Sequence, residues 1–69
     1  MKTEDLSNIF TYHSPKGDQP YKYEEIRNLA HSLARLICEY SPDSRERSLS
    51  ITKLEEAVMW ANAGIARNT

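Results

Sequence analysis

The sequence predicts an all-α protein: an antiparallel two-helix hairpin with a short N-terminal arm, completed by homo-oligomerisation. Two stretches carry apolar residues at alternating spacings of three and four, the periodicity of a helix with one apolar face. Only a short segment containing Ser41 and Pro42 separates the two stretches, so the helices must fold back on each other. A chain of 69 residues has a marginal core, so we expect association with further copies.

Length and periodicity also predict the domain organisation. A chain of 69 residues has room for one domain and no more. The predicted domain covers 1–69 and has three parts: an N-terminal arm and loop over 1–18, a first helix over about 19–40, and a second helix over about 42–67.

The N-terminal arm carries few apolar residues. Residues 1–8 are polar and are expected to fray. Phe10 and Tyr12 follow in a short aromatic cluster, and the simplest expectation is that both rings cover the end of the helices. Tyr12 also has a second interpretation, because it lies among polar residues and its ring face is suited to stacking on a ligand.

The first helix is predicted to begin near Gln19, next to a proline at the first helical position. It must stop before Pro42, because the residue before a proline is disfavoured in helical geometry. Its apolar face is formed by Tyr23, Ile26, Ala30, Leu33, Ile37 and Tyr40. Leu29 and Leu36 widen this face. Cys38 lies in the same apolar run, and we expect it to be a packed thiol.

The second helix is predicted to begin with Ser41 as its N-cap and Pro42 at its first helical position. One apolar row consists of Ile51, Leu54, Val58, Ala61 and Ile65, and a second row beside it consists of Lys53, Ala57, Trp60 and Gly64. A lone hairpin cannot cover every row. We expect an exposed patch, and hence an interface between hairpins in a dimer or larger assembly, at Leu29, Leu36, Ala57, Trp60 and Gly64.

Charge and hydropathy exclude two classes of partner. The formal net charge is −1, whereas proteins that bind duplex nucleic acid normally carry a basic excess. No apolar run has the length of a membrane span, and the acidic N-terminus is unlike a signal peptide. We therefore expect neither duplex nucleic acid nor a membrane as partner, while a small anionic ligand stays compatible.

Neither a catalytic nor a metal-binding arrangement can be argued from spacing. His13 and His31 are far apart in the sequence, and together with Cys38 they have none of the usual ligand spacings. Glu24 and Glu25 are adjacent on a helix and so point in different directions. The sequence therefore predicts no enzyme, no metal and no cofactor.

What remains is a set of side chains suited to an anion with aromatic faces. Tyr12 and His13 can stack on a base. The cations that can meet phosphates are Lys16, Lys22, Arg27 and Arg67, with arginine offering a bidentate fork and lysine a point charge. Arg45 and Arg47, near the hairpin turn, are second candidates. All these residue types are also common on solvated surfaces, so the pattern alone does not identify a ligand.

The segments FTYHSP, YKYEEIRNLA, SPDSRERSLSITKLEEA and MWANAGIAR resemble one known family. They are similar to the small bacteriophage helical-hairpin sponge proteins that counteract CBASS and Thoeris immunity. The resemblance covers residues 10–68, and its most specific part is the second helix, with SRE, TKLEEA and MWANA in one register.

The resemblance implies a function that spacing cannot supply. Members of this family bind the cyclic nucleotide second messengers of the host defence and withhold them from their effectors, without cleaving them. It implies action in the host cell cytoplasm. It further implies a homo-oligomer built from dimers, commonly a hexamer, with cyclic dinucleotides in pockets between protomers and cyclic trinucleotides at separate sites.

Carried over by motif, the resemblance assigns four residues to ligand binding. Tyr12 of FTYH would stack on a base, with His13 beside it. Arg27 of EEIRN would meet a phosphate of a dinucleotide, and Arg67 of IARN would serve the trinucleotide site.

Several alternatives stay open at the level of sequence. The hairpin could be an interaction module that pairs with helices of another protein, or a sponge for ADP-ribose-type Thoeris signals. A small DNA-binding repressor is disfavoured by the near-neutral charge. An enzyme that hydrolyses the messenger is the remaining rival.

Overall fold

The computed structural model describes residues 3–68 and has three α-helices in that range. Their bounds are Thr3–Phe10 for α1, Gln19–Tyr40 for α2 and Arg45–Asn68 for α3. α2 and α3 pack against each other, and a hydrogen bond joins Gln19 at the start of α2 to Ile65 near the end of α3. The two helices are therefore antiparallel. The predicted all-α hairpin is confirmed, and its homo-oligomerisation stays a prediction.

The N-terminal arm contains a helix that the sequence pattern does not predict. α1 occupies the region where residues 1–8 are expected to fray, and that expectation is wrong from Thr3 onward. Leu6 and Phe10 are four residues apart and so share one face of α1. A helix of 8 residues is too short for its periodicity to stand out. Residues 1–2 lie outside the described part of the chain.

The first long helix has the predicted bounds. α2 begins at Gln19 and ends at Tyr40, and Pro20 lies in its first turn as expected. The chain enters the helix through Gly17, whose φ of +51° is a conformation that glycine adopts without a steric penalty.

The second long helix begins later than the sequence predicts. The prediction of a start at about 42, with Ser41 as N-cap and Pro42 as the first helical residue, is wrong, because α3 begins at Arg45. Ser41 is instead the C-cap of α2, with extended backbone, and its N–H donates to the Ile37 carbonyl at 2.8 Å. The physical reason is that Ser41 already terminates α2, so the residues after it must reverse the chain direction before a new helix can start.

The hairpin turn is closed by two side chains. The Ser44 hydroxyl oxygen accepts a hydrogen bond from the Arg47 N–H at 3.1 Å, which makes Ser44 the cap of α3. The Arg47 guanidinium donates to three acceptors: the carbonyls of Cys38 at 3.3 Å and Ser41 at 3.4 Å, and the Asp43 carboxylate at 3.2 Å. The last carbonyls of a helix lack intrahelical partners. Arg47 donates a hydrogen bond to two of these carbonyls. It therefore belongs to the turn and is not a free cation.

The facing sides of α2 and α3 are half-buried, as the periodicity predicts. These positions include Ile26, Ala30, Ile37, Ile51, Leu54, Val58 and Ile65. Among the described residues, no apolar side chain is fully buried. One hairpin by itself therefore has only half of a core.

Three expectations of burial are wrong for the single chain. Phe10 and Tyr12 are 84% and 82% exposed, so they do not cover the end of the helices. Cys38 is exposed and is not a packed thiol. It follows Ile37 by one residue, which on a helix turns it about 100° away from the half-buried face.

The large residues of the predicted apolar patch lie on the surface of the single chain. Leu29, Leu36 and Trp60 are all exposed, with Trp60 at 65%. Ala57 is also exposed and lines one groove with Leu29, and Gly64 is half-buried with open space where a Cβ would lie. Within residues 3–68, no helix has the length and apolarity needed to cross a membrane.

Candidate functional site

The loop between α1 and α2 carries the first two predicted site residues. Tyr12 presents almost its whole side chain to solvent. His13 is half-buried, and its ring Nε2 lies 2.8 Å from the Asn8 carbonyl oxygen, so the imidazole donates to the C-terminal end of α1. Thr11 similarly donates its hydroxyl to the Ser7 carbonyl. These two contacts fasten the start of the loop to α1 and leave the Tyr12 ring free to stack.

A buried glutamine holds the other end of the loop. Gln19 is 4% exposed, and among the described residues no other side chain is buried. Its Oε1 accepts from the Lys16 N–H at 3.0 Å, and its Nε2 donates to the Ile65 carbonyl at 3.3 Å. Because a buried amide is costly unless both its ends are bonded, this pairing specifies where the loop meets α3.

Arg27, the third predicted site residue, lies exposed on α2 and lines two open grooves. The first has a volume of about 400 Å³ and is lined by Arg27, Ala30, His31, Ala34, Ile51, Leu54, Glu55, Val58 and Met59. It is a largely apolar groove between α2 and α3 with Arg27, His31 and Glu55 as its charged or polar groups. A guanidinium at the edge of such a groove can form a bidentate pair with a phosphate.

The second groove brings Arg27 close to polar groups that the sequence does not single out. It has a volume of about 430 Å³ and is lined by Tyr23, Arg27, Asn62, Ala63 and Ala66. The Asn62 Oδ1 atom is buried and has no hydrogen-bond partner among the described residues. An unpaired buried carbonyl oxygen is unfavourable, so Asn62 is a polar group available to a donor beside Arg27.

Arg67, the fourth predicted site residue, is half-buried in the last turn of α3. It lies two residues after Ile65, to which Gln19 is bonded. The loop that carries Tyr12 and His13 and the turn that carries Arg67 are therefore at the same end of the hairpin. Tyr12, His13 and Arg67 do not line either groove that contains Arg27. One chain thus supplies separate parts of a binding site and does not form an enclosed pocket from them.

The remaining candidate cations differ in how they are engaged. Lys22 Nζ lies 3.4 Å from the Asp18 carboxylate, in an exposed pair that stabilises the chain little. Arg47 is taken up by the turn. Among the described residues, no group of three His, Cys, Asp or Glu side chains is close enough to hold a metal ion.

Two contributors to this region have weak or no sequence signals. Gln19 stands at a helix start and belongs to no apolar row, so periodicity gives no reason to expect its burial. Asn62 is a polar residue within the run of small residues from Ala61 to Gly64, which is an unusual position for an amide. That interruption is the one signal by which it could have been found.

The fold and the exposed groups define a small helical-hairpin protein that leaves large apolar side chains and the ligand-type residues Tyr12 and Arg27 exposed in the described part of the chain. Residues 2–66 match the family model described as Acb2/Tad1, hairpin domain, and the chain belongs to this family. The match confirms the resemblance of the sequence to the phage anti-defence sponges. Comparison with curated proteins and with solved structures gives no match.

Family membership supports a general class of function. The Acb2/Tad1 hairpin family is a ligand-binding sponge type that binds signalling molecules, and it is not known as a family of enzymes. The family is thus consistent with a phage sponge for cyclic nucleotide signals.

Proposed function

We propose that this chain is a phage-encoded immune-evasion protein that binds cyclic di- and trinucleotide second messengers and holds them intact in the host cell cytoplasm. By withholding the messenger from its effector, it blocks CBASS-type antiviral signalling. The observation that carries this proposal is membership of the Acb2/Tad1 hairpin family over residues 2–66.

The proposed binding groups have chemistry that matches a cyclic nucleotide. The exposed Tyr12 ring provides a stacking face for a base, with His13 fastened beside it. Arg27 meets a phosphate of the dinucleotide through charge-assisted hydrogen bonds. Arg67, at the end of α3, serves the trinucleotide. Retention needs tight binding and slow release, and it needs no group that moves a proton or attacks a bond.

The proposed site is completed by a second copy of the chain. In one hairpin the apolar side chains are half-buried at most, and the Arg27 grooves are open. An assembly of dimers, up to a hexamer, covers the patch around Leu29 and Trp60 and adds a second wall to each pocket. A ligand enclosed in this way loses water, which strengthens each of its hydrogen bonds to the protein.

The proposal is tested by calorimetric titration of the purified protein with a panel of cyclic di- and trinucleotides, with light scattering on the same sample. We expect tight binding of a dinucleotide at about half a ligand per chain, because a two-fold interface shares one pocket between two chains. Ligand recovered unchanged after heat denaturation excludes hydrolysis. A folded oligomer that gives no heat with any member of the panel contradicts the proposal.

The exposed apolar patch favours a second candidate, an interaction module that pairs with helices of another protein. Leu29 and Trp60 are large exposed apolar side chains on α2 and α3, as such a module requires. The module predicts that Tyr12→Ala and Arg27→Ala leave activity intact while Trp60→Ala abolishes it. Adding ADP-ribose-type signals to the same panel tests the remaining alternative, a sponge for Thoeris messengers.

A further inference from the structure

We infer that Gln19 is a positioning residue for ligand binding: its bond to Ile65 fixes the arm that carries Tyr12 against the end of α3. This inference rests on the proposed function, since it concerns the same binding loop. Gln19 itself is buried, so it acts through the loop and not by touching the ligand.

In the part of the chain that the structure describes, the other hydrogen bonds of the arm stay within the arm or join it to the start of α2. α2 and α3 pack against each other, whereas α1 makes no comparable contact with either helix in the described part of the chain. The hydrogen bonds of Thr11 and His13 join the loop to α1, so they do not fix the loop relative to α2 or α3. The bonds of Lys16 and Asp18 near the start of α2 are local to the chain.

The Gln19 amide is the point at which this arm is tied to the far helix. Its two halves face different partners: the carbonyl accepts from Lys16 in the loop, and the NH₂ group donates to Ile65 on α3. A glutamine is suited to this position because it carries both an acceptor and a donor on one planar group. With both bonds made, the loop and α3 have a defined separation, and Tyr12 has a defined direction relative to Arg67.

Loss of this bond should release the arm without unfolding the hairpin. Gln19→Met keeps the length and the helix propensity of the side chain and removes its hydrogen bonds to Lys16 and Ile65. If the binding-competent conformation of the arm is then populated in about one-tenth of the molecules, the apparent Kd rises about tenfold, because the apparent affinity scales with the fraction of molecules in that conformation. Lys53→Met is the matched control, since it breaks only an exposed pair with Glu56 on α3.

A second variant separates the two halves of the amide. Gln19→Glu keeps an oxygen for the Lys16 N–H and loses the donor to Ile65. If the tie to α3 is what matters, Gln19→Glu weakens binding about as much as Gln19→Met does. Wild-type affinity in Gln19→Glu would overturn the role assigned to the Ile65 bond.

A double-mutant cycle with cyclic di-AMP as probe tests whether Gln19 acts through Tyr12. We expect Gln19→Met to lower affinity about tenfold in the wild-type background and to have no further effect in the Tyr12→Ala background. If Gln19 acts only by positioning Tyr12, the two substitutions remove the same contribution to binding, so their effects do not add. An equal loss in both backgrounds would show a general structural effect and overturn the inference. Unchanged affinity of Gln19→Met would overturn it as well.

A measurement without ligand keeps this inference separate from the proposed function. Backbone ¹⁵N relaxation should show increased motion of Tyr12 and His13 in Gln19→Met, with α2 and α3 unchanged. If the wild-type protein binds no cyclic nucleotide, the proposed function fails, and this measurement still decides whether Gln19 fixes the arm. An arm that is as rigid in Gln19→Met as in the wild type overturns the positioning role.

Discussion

The two ends of the hairpin are held in different ways. At the turn end, residues 40–47, Ser44 caps α3, and the Arg47 guanidinium reaches three acceptors within nine residues of chain. At the open end, residues 11–19 meet residues 65–68 through the buried Gln19 amide, which pairs positions 46 residues apart. Local bonds close the turn end, whereas among the described residues the long-range hydrogen bond at the open end comes from the Gln19 side chain.

We expect this difference to separate stability from ligand binding. At the turn end the Ser44 hydroxyl and the Arg47 guanidinium are engaged with the backbone of the turn. The open end leaves the Tyr12 ring exposed and Arg67 half-buried, and Arg27 lies about two helical turns into α2 from Gln19. Variants at the open end should therefore change affinity, and variants at the turn end should change stability.

The largest effect on ligand affinity is expected from Arg27→Ala. Arg35→Ala is its control, because Arg35 is also an exposed arginine of α2. Losing a charge-assisted bond to phosphate costs about 1.5–3 kcal/mol, which is about 10- to 150-fold in Kd. Arg35 lies further toward the turn end, so its loss should change affinity less than about threefold. Calorimetry with cyclic di-AMP measures both. Equal losses in the two variants would point to net charge and away from an Arg27 contact.

Tyr12→Ala should have the next largest effect, with Tyr40→Ala as the matched control at the turn end. Both rings are exposed in the single chain, and stacking on one base is worth about 1–3 kcal/mol. We expect weaker binding for Tyr12→Ala and near wild-type binding for Tyr40→Ala in the same titration. If both tyrosines matter equally, the assignment of binding to the open end is wrong.

Arg47→Met should lower stability and leave affinity unchanged. It leaves the C-terminal carbonyls of α2 without the Arg47 donor. Because the side chain is partly solvated, we expect a loss of about 1–2 kcal/mol in the free energy of unfolding. Urea denaturation at fixed protein concentration measures it, with Arg45→Met as the neighbouring control. A change in ligand affinity without a change in stability would contradict the separation of the two ends.

The smallest effect distinguishes the two serines of the turn. Ser44→Ala removes the cap of α3 and should cost about 1 kcal/mol. Ser41→Ala should cost only a few tenths of that value, because Ser41 uses its backbone N–H and its hydroxyl caps no helix. The same denaturation experiment compares them, and the reverse order would restore Ser41 as the start of the second helix.

Sequence alone determined the helical hairpin, the bounds of α2 and the exposed patch around Leu29 and Trp60. Each of these features follows from the periodicity of apolar residues or from proline. Both signals act over neighbouring residues and can therefore be recognised in the sequence. The segments shared with the sponge family identified the family itself, which the match over residues 2–66 confirms. The ligand-binding roles of Tyr12, His13, Arg27 and Arg67 stay predictions carried by that resemblance.

Only the tertiary structure decided how the two ends of the hairpin are closed. Whether Ser41 or Ser44 begins α3 depends on where α2 stops and on the space that a chain reversal needs. The structure also shows that three side chains are exposed: Cys38, Phe10 and Tyr12. Their exposure could not be read from the sequence, because burial depends on which parts of the chain pack against a side chain. The bond from Gln19 to Ile65 joins residues that have no local relation in the sequence. Such a contact arises only when the two helices are packed, and it joins the start of α2 to the last turns of α3.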